Sequence, residues 1–472
     1  MKRAFVTGAN GFIGSHLVRH LLERGYEVDC LVRATSDLRS IEGLPVRIHV
    51  GDVRQPETLT AALEGADYVF HLAAELLALT REAFLLTNTK GTVHMLDAVL
   101  RAKGPGFQRF LYVSSQAAAG PGADTTPLNE AAERRPMSWY GTSKSDSEEI
   151  VMQYAARLAV TIVRPSSVYG AREQDLSQTY PLVDSRIHPK LGILPKYIVA
   201  VFVDDLVRGF VDAAESANTV GKTYFLNHKE ALSASDVIQG IANGMDKSAG
   251  VTIPIPLLLI QLAAPAAELM HRFTRGRPAM TRDKAREVSQ RFWVADPGAA
   301  QRDFGWVAQN NISQGMRATT QSWRAERDAG RAMALEDILW AKYLIVASAI
   351  GGLIESQSHL GGFYTFNPAW LVWVVIFGAF GLVLGTLAML LRRTGPLPQF
   401  LIGTALAGAA EVLNAAVFHA WTFREGWPLG ITNAYERAIL LGGAGGIFVV
   451  LVNLIMQALY GLRLSKGDAN EP

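Results

Sequence analysis

Short apolar runs alternate with helix-like stretches through the first third of the chain. The apolar runs lie near residues 2–7, 27–32, 46–50, 68–72, 110–114 and 161–164. Runs of this length, separated by helical stretches, predict parallel strands buried between two layers of helices. We therefore expect a doubly wound α/β domain over residues 1–332, with a smaller substrate lobe formed mainly by residues 171–200 and 227–300.

Four longer apolar segments fill the last part of the chain, at residues 339–354, 370–391, 400–421 and 438–460. Crossing a bilayer takes about 20 apolar residues, and three of the segments are that long. The first is long enough if residues 355–359 lie at the far interface. Residues 333–472 are therefore predicted to form an all-α transmembrane domain of four helices.

Positive charges predict the orientation of these spans. Arginine and lysine residues precede the first span and follow the second and fourth, whereas the loop at residues 361–369 has none. The positive-inside rule then places both termini and the enzyme domain in the cytoplasm, as in a multi-pass protein of a bacterial inner membrane. Glycines interrupt the apolar start of the chain early, so we do not expect an export signal.

Polar residues within the spans have two interpretations. Glu355 and His359 lie near the end of the first span, and Glu411, Asn414 and His419 lie in the third. They either hydrogen-bond between helices or line a site for a lipid head group or a proton.

A glycine-rich turn joins the first predicted strand to the first predicted helix. It reads Gly8, Ala9, Asn10, Gly11, Phe12, Ile13, Gly14, and a second strand follows at βαβ spacing. Glycines allow a tight turn and a close approach of the backbone to a pyrophosphate, which sits at the helix N-terminus. This context predicts a Rossmann-like dinucleotide site.

Arg33 ends the second predicted strand, where NAD-binding proteins usually place an acid for the ribose hydroxyls. A guanidinium suits the 2′-phosphate of NADP. Asp29 is acidic but lies four residues short of the strand end. We therefore favour NADP(H) over NAD(H), with a solvated Arg33 as the alternative interpretation.

Tyr140 and Lys144 lie four residues apart in a predicted helix, so their side chains share one face. A phenol with its ordinary pKa of about 10 is a poor base at neutral pH. A neighbouring ammonium favours the phenolate. Tyr140 could then exchange a proton with a hydroxyl or carbonyl while hydride passes to or from the cofactor. Ser115, which ends the fifth strand, would hold the substrate oxygen.

Together these motifs resemble the extended short-chain dehydrogenase/reductase family over residues 1–330. Segment 30–38 is most similar to the branch of dihydroflavonol reductases, hopanoid-cluster proteins and 3β-hydroxysteroid dehydrogenases. The matching segments are residues 7–14, 51–53, 71–74, 88–92, 112–115, 140–144 and 164–170.

The resemblance implies roles for further residues. It makes Asn88 an active-site residue, although Asn88 could instead only bend or cap a helix. Lys144 would also bind the nicotinamide ribose. The residues implied to border the cofactor are Asp52, Val53, Leu72, Ala73, Ala74 and Pro165. Segment 116–120 lacks the threonine and tyrosine usual in sugar-nucleotide epimerases, which weakens a sugar-nucleotide assignment.

Composition and residue spacing bear on the remaining candidate partners and sites. A net charge of +2 gives no case for a nucleic-acid partner, and Cys30 is the only cysteine. No histidine spacing suggests a metal site. Asp204 or Asp205 is predicted to cap a helix beginning at Leu206, rather than to act in catalysis. The apolar stretch 253–270 is either a core helix or a helix lying against the bilayer.

Three functions remain open on the sequence. The leading one is a membrane-bound NADP(H)-dependent oxidoreductase that interconverts a hydroxyl and a ketone on a lipid-like substrate, with a homodimer through helices of the enzyme domain. The second is an epimerase or dehydratase of a sugar nucleotide or lipid-linked sugar. The third is a non-catalytic NADP(H)-binding scaffold, against which the triad of Ser115, Tyr140 and Lys144 argues.

Overall fold

The computed structural model describes residues 1–328, apart from 174–175, 193, 248–249 and most of 256–279. The chain divides into two units, Met1–Ala332 and Met333–Pro472. Among the residues described, no helix combines the length and the apolar character needed to cross a bilayer. The four predicted spans and their polar residues lie outside the described residues.

Fourteen strands are present in the described part of the chain. They are β1 Arg3–Thr7, β2 Glu27–Val32, β3 Arg47–Val50, β4 Tyr68–His71, β5 Arg109–Val113, β6 Val160–Pro165, β7 Ser167–Tyr169, β8 Ile187–Leu191, β9 Tyr197–Ile198, β10 Ala200–Phe202, β11 Lys222–Leu226, β12 Leu232–Ser233, β13 Val251–Ile255 and β14 Phe292–Trp293.

Helices connect these strands. They are α1 Phe12–Glu23, α2 Arg81–Phe84, α3 Gly91–Ala102, α4 Gln116–Ala119, α5 Trp139–Gln153, α6 Tyr180–Asp184, α7 Val203–Glu215, α8 Ala234–Gly244, α9 Arg282–Ser289, α10 Gly298–Phe304 and α11 Ile312–Asp328, with a π-helical turn at Leu85–Lys90 between α2 and α3.

Seven strands form one parallel sheet in the order β11-β6-β5-β4-β1-β2-β3. Alternate residues of each strand face opposite layers, so Ala4 and Val6 pack with α1 and α7, whereas Phe5 packs with α3 and α5. Helices therefore cover both faces, as the sequence predicts. The chain reverses its direction of winding between β1 and β4, and ligands of such sheets bind in the crevice at this point.

Smaller sheets form the lobe that follows the main sheet. β7 pairs with β10, β8 with β13, and β9 lies between β12 and β14. Helices α8 and α11 pack together through Ile241, Met245 and Met316. The stretch 253–270 begins in strand β13, whereas both interpretations of the sequence predict a helix there. Most of the remaining stretch lies outside the described residues.

The predicted cap at Asp204 or Asp205 is wrong, because α7 begins at Val203 and has no side-chain cap. Both aspartates lie in its first turn, where a negative charge still stabilises the positive end of the helix. Asp205 is buried and accepts hydrogen bonds from the backbone and side chain of Asn310, at 2.8 and 3.1 Å. Asp205 thus has the structural role predicted for this pair.

Candidate active site

The glycine turn after β1 is held in a conformation that leaves no room for side chains. Gly8 has φ of +71°, and a Cβ at Gly14 would lie 2.0 Å from the Gly8 carbonyl oxygen. Gly11 precedes α1 without a side-chain cap, so the first amides of α1 remain available to an anion. Phe12 and Ile13 pack their side chains against the core. The turn therefore fits a dinucleotide pyrophosphate through backbone groups alone.

Asn10 ties the glycine turn to the loop that follows β2. Its Nδ2 donates to the carbonyl of Asp37 at 3.1 Å, and its own carbonyl accepts from Ser40 Oγ at 2.8 Å. Arg33 lies exposed at the end of β2, at the start of the same loop. Asn10 thus shapes this loop, and Arg33 is the basic group that the loop offers at the predicted adenosine position.

Asp29 is committed to a buried ion cluster in β2. Its carboxylate accepts from Arg3 at 2.6 Å, from Arg47 at 3.0 Å and from His49 at 2.6 Å. Burial opposes ionisation, but these partners hold the pKa of Asp29 well below its usual range. Asp29 therefore has a structural role and does not compete with Arg33 for the ribose.

Asp52 and Val53 follow β3 at the same edge of the sheet. Asp52 forms a two-point ion pair with Arg54, at 3.0 and 2.6 Å. Burial raises the pKa of Asp52, but Arg54 outweighs that effect and leaves it lowered. Val53 is buried, and its side chain would contact any Cβ at Gly91. Both residues lie at the predicted adenine position, where Val53 is mainly a packing residue.

The end of β4 is joined to the glycine turn by one hydroxyl. Thr7 Oγ1 accepts from the amides of Leu72 at 3.1 Å and Ala73 at 3.0 Å. It therefore donates its proton to His71 Nδ1, 2.8 Å away. Burial, followed by the charge of Lys144, lowers the pKa of His71 to about 3, so the ring is neutral and carries its proton on Nε2. Leu72 and Ala73 thus lie beside Gly8, and Ala74 follows them.

Ser115 and Pro165 follow neighbouring strands of the sheet. Ser115 Oγ accepts from the amide of Ala117 at 3.1 Å and caps α4, which leaves its proton to donate. Pro165 is buried at the end of β6. The register aligns Val113 with Val163, so the residues that follow these strands lie side by side at the carboxyl edge.

Tyr140 lies in the first turn of α5, half-buried, with its ring 6.3 Å from that of Phe84. One hydroxyl and one carboxylate accept hydrogen bonds from the backbone at the start of this helix. Ser138 Oγ accepts from the amide of Gly141 at 2.9 Å, and Asp283 accepts from the amides of Trp139 and Tyr140 at 2.8 and 3.4 Å. Burial raises the pKa of Asp283. The substrate lobe therefore contributes a residue to the end of the helix that carries Tyr140.

Lys144 is buried one turn beyond Tyr140 in α5 and is 2% exposed. Its Nζ donates to the carbonyl of Val113 at 2.7 Å and to the hydroxyl of Tyr112 at 3.2 Å. Burial lowers its pKa to about 7, and the charge of Glu148 opposes this shift. The spacing of Tyr140 and Lys144 places both on one helix, as predicted.

Asn88 lies in the π-helical turn, a feature frequent at functional sites. Its Oδ1 accepts from the amide of Glu75 at 2.7 Å. Its Nδ2 donates to the carbonyl of Glu75 at 3.1 Å and to Ser143 Oγ at 2.8 Å. The side chain is thus committed to protein partners and joins the segment after β4 to α5, so we assign Asn88 a positioning role.

Sequence reasoning missed several residues around this site. His71 and Tyr112 stood within the matching motifs but were given no role, and Asp283 and Glu148 were not considered. Glu148 accepts from Arg164 at 2.8 and 2.6 Å and from Ser114 at 2.6 Å. The position of Glu148 four residues after Lys144 was a signal, because it puts the carboxylate on the same helix face.

Comparisons with known proteins give a family match and several similar enzymes. Residues 4–226 match the model of the NAD dependent epimerase/dehydratase family. A 2-alkyl-3-oxoalkanoate reductase of Shewanella oneidensis is 27% identical over 341 residues, 67% of this chain and 85% of the relative. A 3-beta-hydroxysteroid dehydrogenase of Mycolicibacterium neoaurum is 29% identical over 248 residues, 49% of this chain and 66% of the relative.

Solved structures share the fold. The dTDP-glucose 4,6-dehydratase of Streptomyces venezuelae, solved with NAD bound, is 23% identical and superposes with a TM-score of 0.56. The match covers 69% of this chain and 98% of that chain. At this identity the likeness concerns the fold alone.

Proposed function

We propose that this chain, an NAD(P)-dependent oxidoreductase whose residues 4–226 match the model of the NAD dependent epimerase/dehydratase family, interconverts a hydroxyl and a ketone on a lipid-like substrate. The observation that carries the proposal is the buried Lys144 ammonium, one helical turn from Tyr140 at the carboxyl edge of the sheet. This arrangement fits proton transfer beside a nicotinamide.

Three side chains have different roles in the proton transfer. NADP(H), when bound, supplies or accepts the hydride. Ser115 keeps its hydroxyl proton to donate to the substrate oxygen, and Tyr140 gives that oxygen its proton in reduction or removes it in oxidation. The charge of Lys144 stabilises the Tyr140 phenolate that either direction requires at some stage.

Apolar side chains around Tyr140 support a lipid-like substrate. Phe84 packs against the Tyr140 ring, and Met137 and Trp139 are 44% and 37% exposed on the segment that leads into Tyr140. Leu76, next to the Glu75 that Asn88 holds, is 55% exposed. Large exposed apolar side chains on adjoining segments are typical of apolar ligand sites. The two relatives described above carry names of alkyl-chain and steroid substrates.

NADP(H) is the proposed cofactor. Arg33 is exposed at the end of β2, and Asp29 is tied to Arg3, Arg47 and His49, so the carboxylate of Asp29 is not available to a ribose. A guanidinium at this place favours a 2′-phosphate.

We also propose that the four apolar segments anchor the enzyme in a membrane, with the enzyme domain on the cytoplasmic side. Support comes from the length of the segments and the distribution of arginine and lysine around them. Reporter fusions after Gly361 and Trp427 should then report the outside, and fusions after Arg393 and Lys466 the cytoplasm. A cytoplasmic report from Gly361 would contradict this topology.

The experiment that tests the function uses the full chain and NADPH. It compares oxidation of NADPH with a long-chain 3-oxoacid, a 3-ketosteroid and a UDP-sugar 4-ketone as substrates. We expect turnover with one of the first two, and the Tyr140→Phe variant should retain NADPH binding while its kcat falls by about 100-fold or more.

Two outcomes would contradict the proposal. Turnover of the sugar nucleotide alone would make the chain an epimerase or dehydratase. NADPH binding without turnover of any lipid in a broad panel would favour a scaffold. An active Tyr140→Phe variant would move the proton transfer to another residue.

A further inference from the structure

Two contacts fix the orientation of the Lys144 ammonium. An ammonium has three N–H donors and no acceptor. One donor is used by the carbonyl of Val113 at 2.7 Å and a second by the hydroxyl of Tyr112 at 3.2 Å. The direction of the third N–H follows from the first two. It is the donor that remains for the cofactor ribose or Tyr140.

The Tyr112 phenol is buried among polar side chains. Tyr112 is 1% exposed, and burial raises the pKa of its phenol, while interactions with the hydroxyls of Ser147 and Thr92 act in the opposite direction. Thr92 Oγ1 donates to the carbonyl of Asn88 at 2.6 Å and accepts from His71 Nε2 at 3.1 Å. Because the Lys144 ammonium has only N–H donors, the Tyr112 oxygen is the acceptor in the contact between them.

Few charges surround Lys144 to keep it protonated. Of the three carboxylates on its helix, Asp146, Glu148 and Glu149, the charge of Glu148 acts on Lys144, but Arg164 and Ser114 already occupy that carboxylate. His71, on β4, is neutral, and Tyr140, one turn earlier, is the group that Lys144 must influence. The uncharged phenol of Tyr112, whose pKa is raised by burial, is the polar side chain in direct contact with Nζ.

We propose that Tyr112 is a positioning residue of this active site, whose hydroxyl holds Lys144 Nζ so that its remaining N–H is directed at the cofactor ribose and Tyr140. The effect of Tyr112 on catalysis rests on the proposed function. The first test, in contrast, measures cofactor binding alone. The Tyr112 ring lies 5.8 Å from the ring of His71, whose Nδ1 accepts from the Thr7 hydroxyl that holds Leu72 and Ala73 beside Gly8.

The test removes the hydroxyl and keeps the ring. In Tyr112→Phe, the ammonium loses an acceptor and becomes neutral at lower pH. We expect NADPH Kd values equal to wild type within about twofold at pH 6, and weaker by about threefold to fivefold at pH 7.5, as measured by NADPH fluorescence on the full chain. Tyr154→Phe is the matched control, because it removes a phenol that donates to Asp97 at 2.7 Å at the far end of α5.

Activity provides a second readout. The rise of kcat with pH in alcohol oxidation should move upward by about 0.5 to 1 pH unit in Tyr112→Phe, with substrate KM within about twofold, because a less charged Lys144 stabilises the Tyr140 phenolate less. A purely structural role would lower the amount of active enzyme and leave this pH profile in place.

The outcomes distinguish a failure of the role proposed for Tyr112 from a failure of the proposed function. An unchanged pH dependence of NADPH binding in Tyr112→Phe overturns the role of Tyr112, whatever the substrate. A shifted binding profile without turnover of any lipid substrate supports Tyr112 and contradicts the proposed function. Circular dichroism checks folding, and Tyr112→Leu, a second variant without the hydroxyl, should show the same shift if Tyr112→Phe fails to fold.

Discussion

Replacing Lys144 with methionine should change how the stability of the cofactor-free protein depends on pH. Burial lowers the pKa of Lys144 to about 7 from its usual 10.5. Between these values the unfolded chain binds more protons than the folded one, so the free energy of unfolding of the wild type rises with pH. At 1.36 kcal/mol per pH unit the whole effect is about 5 kcal/mol, of which about 3 to 4 falls between pH 7 and pH 10.

The substitution also leaves the Val113 carbonyl and the Tyr112 hydroxyl without their donor. This loss costs on the order of 1–3 kcal/mol but does not depend on the charge of residue 144. The pH-dependent part is therefore the informative part. Relative to wild type, Lys144→Met should lose about 3 to 4 kcal/mol of stability as the pH rises from 7 to 10.

Urea unfolding at pH 7, 8, 9 and 10, followed by tryptophan fluorescence, measures this difference. Lys229→Met, at an exposed position, is the control and should differ from wild type by a constant amount. Parallel curves for Lys144→Met and wild type across this range would mean that the buried ammonium keeps its ordinary pKa. The reasoning from burial would then be wrong.

Three further changes test other parts of the site. Gly14→Ala should abolish NADPH binding in calorimetry, because its Cβ would lie 2.0 Å from the Gly8 carbonyl oxygen, while Gly104→Ala, with open space around it, should bind normally. Asp283→Asn should fold normally and lower kcat by about threefold to tenfold, because one backbone amide at the start of α5 loses its acceptor. Full activity of this variant would show that Asp283 has only a packing role. Arg33→Asp should shift the ratio of kcat/KM values from NADPH towards NADH, and a wild type that prefers NADH would contradict the assignment.

Local patterns were sufficient to predict the sheet and the glycine turn. The alternation of apolar runs and helices depends on neighbours in sequence, and the turn depends on glycines within seven residues. The same reasoning placed Tyr140 and Lys144 on one helix. It failed at Asp204 and Asp205, because an aspartate suits both the cap and the first turn of a helix, and α7 begins at Val203, before either aspartate.

Contacts between distant segments could not be predicted in this way. The partners of Lys144 come from β5, and the acceptor for the Tyr140 amide comes from the substrate lobe. Nothing in the spacing of Tyr112 or Asp283 distinguishes them from ordinary core residues, since their roles depend on how sheet, helix and lobe pack. Asn88 was predicted as an active-site residue, but only the structure gives its partners.

The contact between Asp283 and the start of α5 has a consequence for how the protein is made. Trp139 and Asp283 are separated by 144 residues, so on the ribosome α5 emerges long before its acceptor has been synthesised. Domains tend to fold as units during synthesis, and translation proceeds at about 5–20 residues per second. Asp283 is therefore synthesised on the order of ten seconds after the start of α5. A nascent chain can therefore build the nucleotide-binding sheet early and yet stay catalytically incomplete until the lobe has been translated.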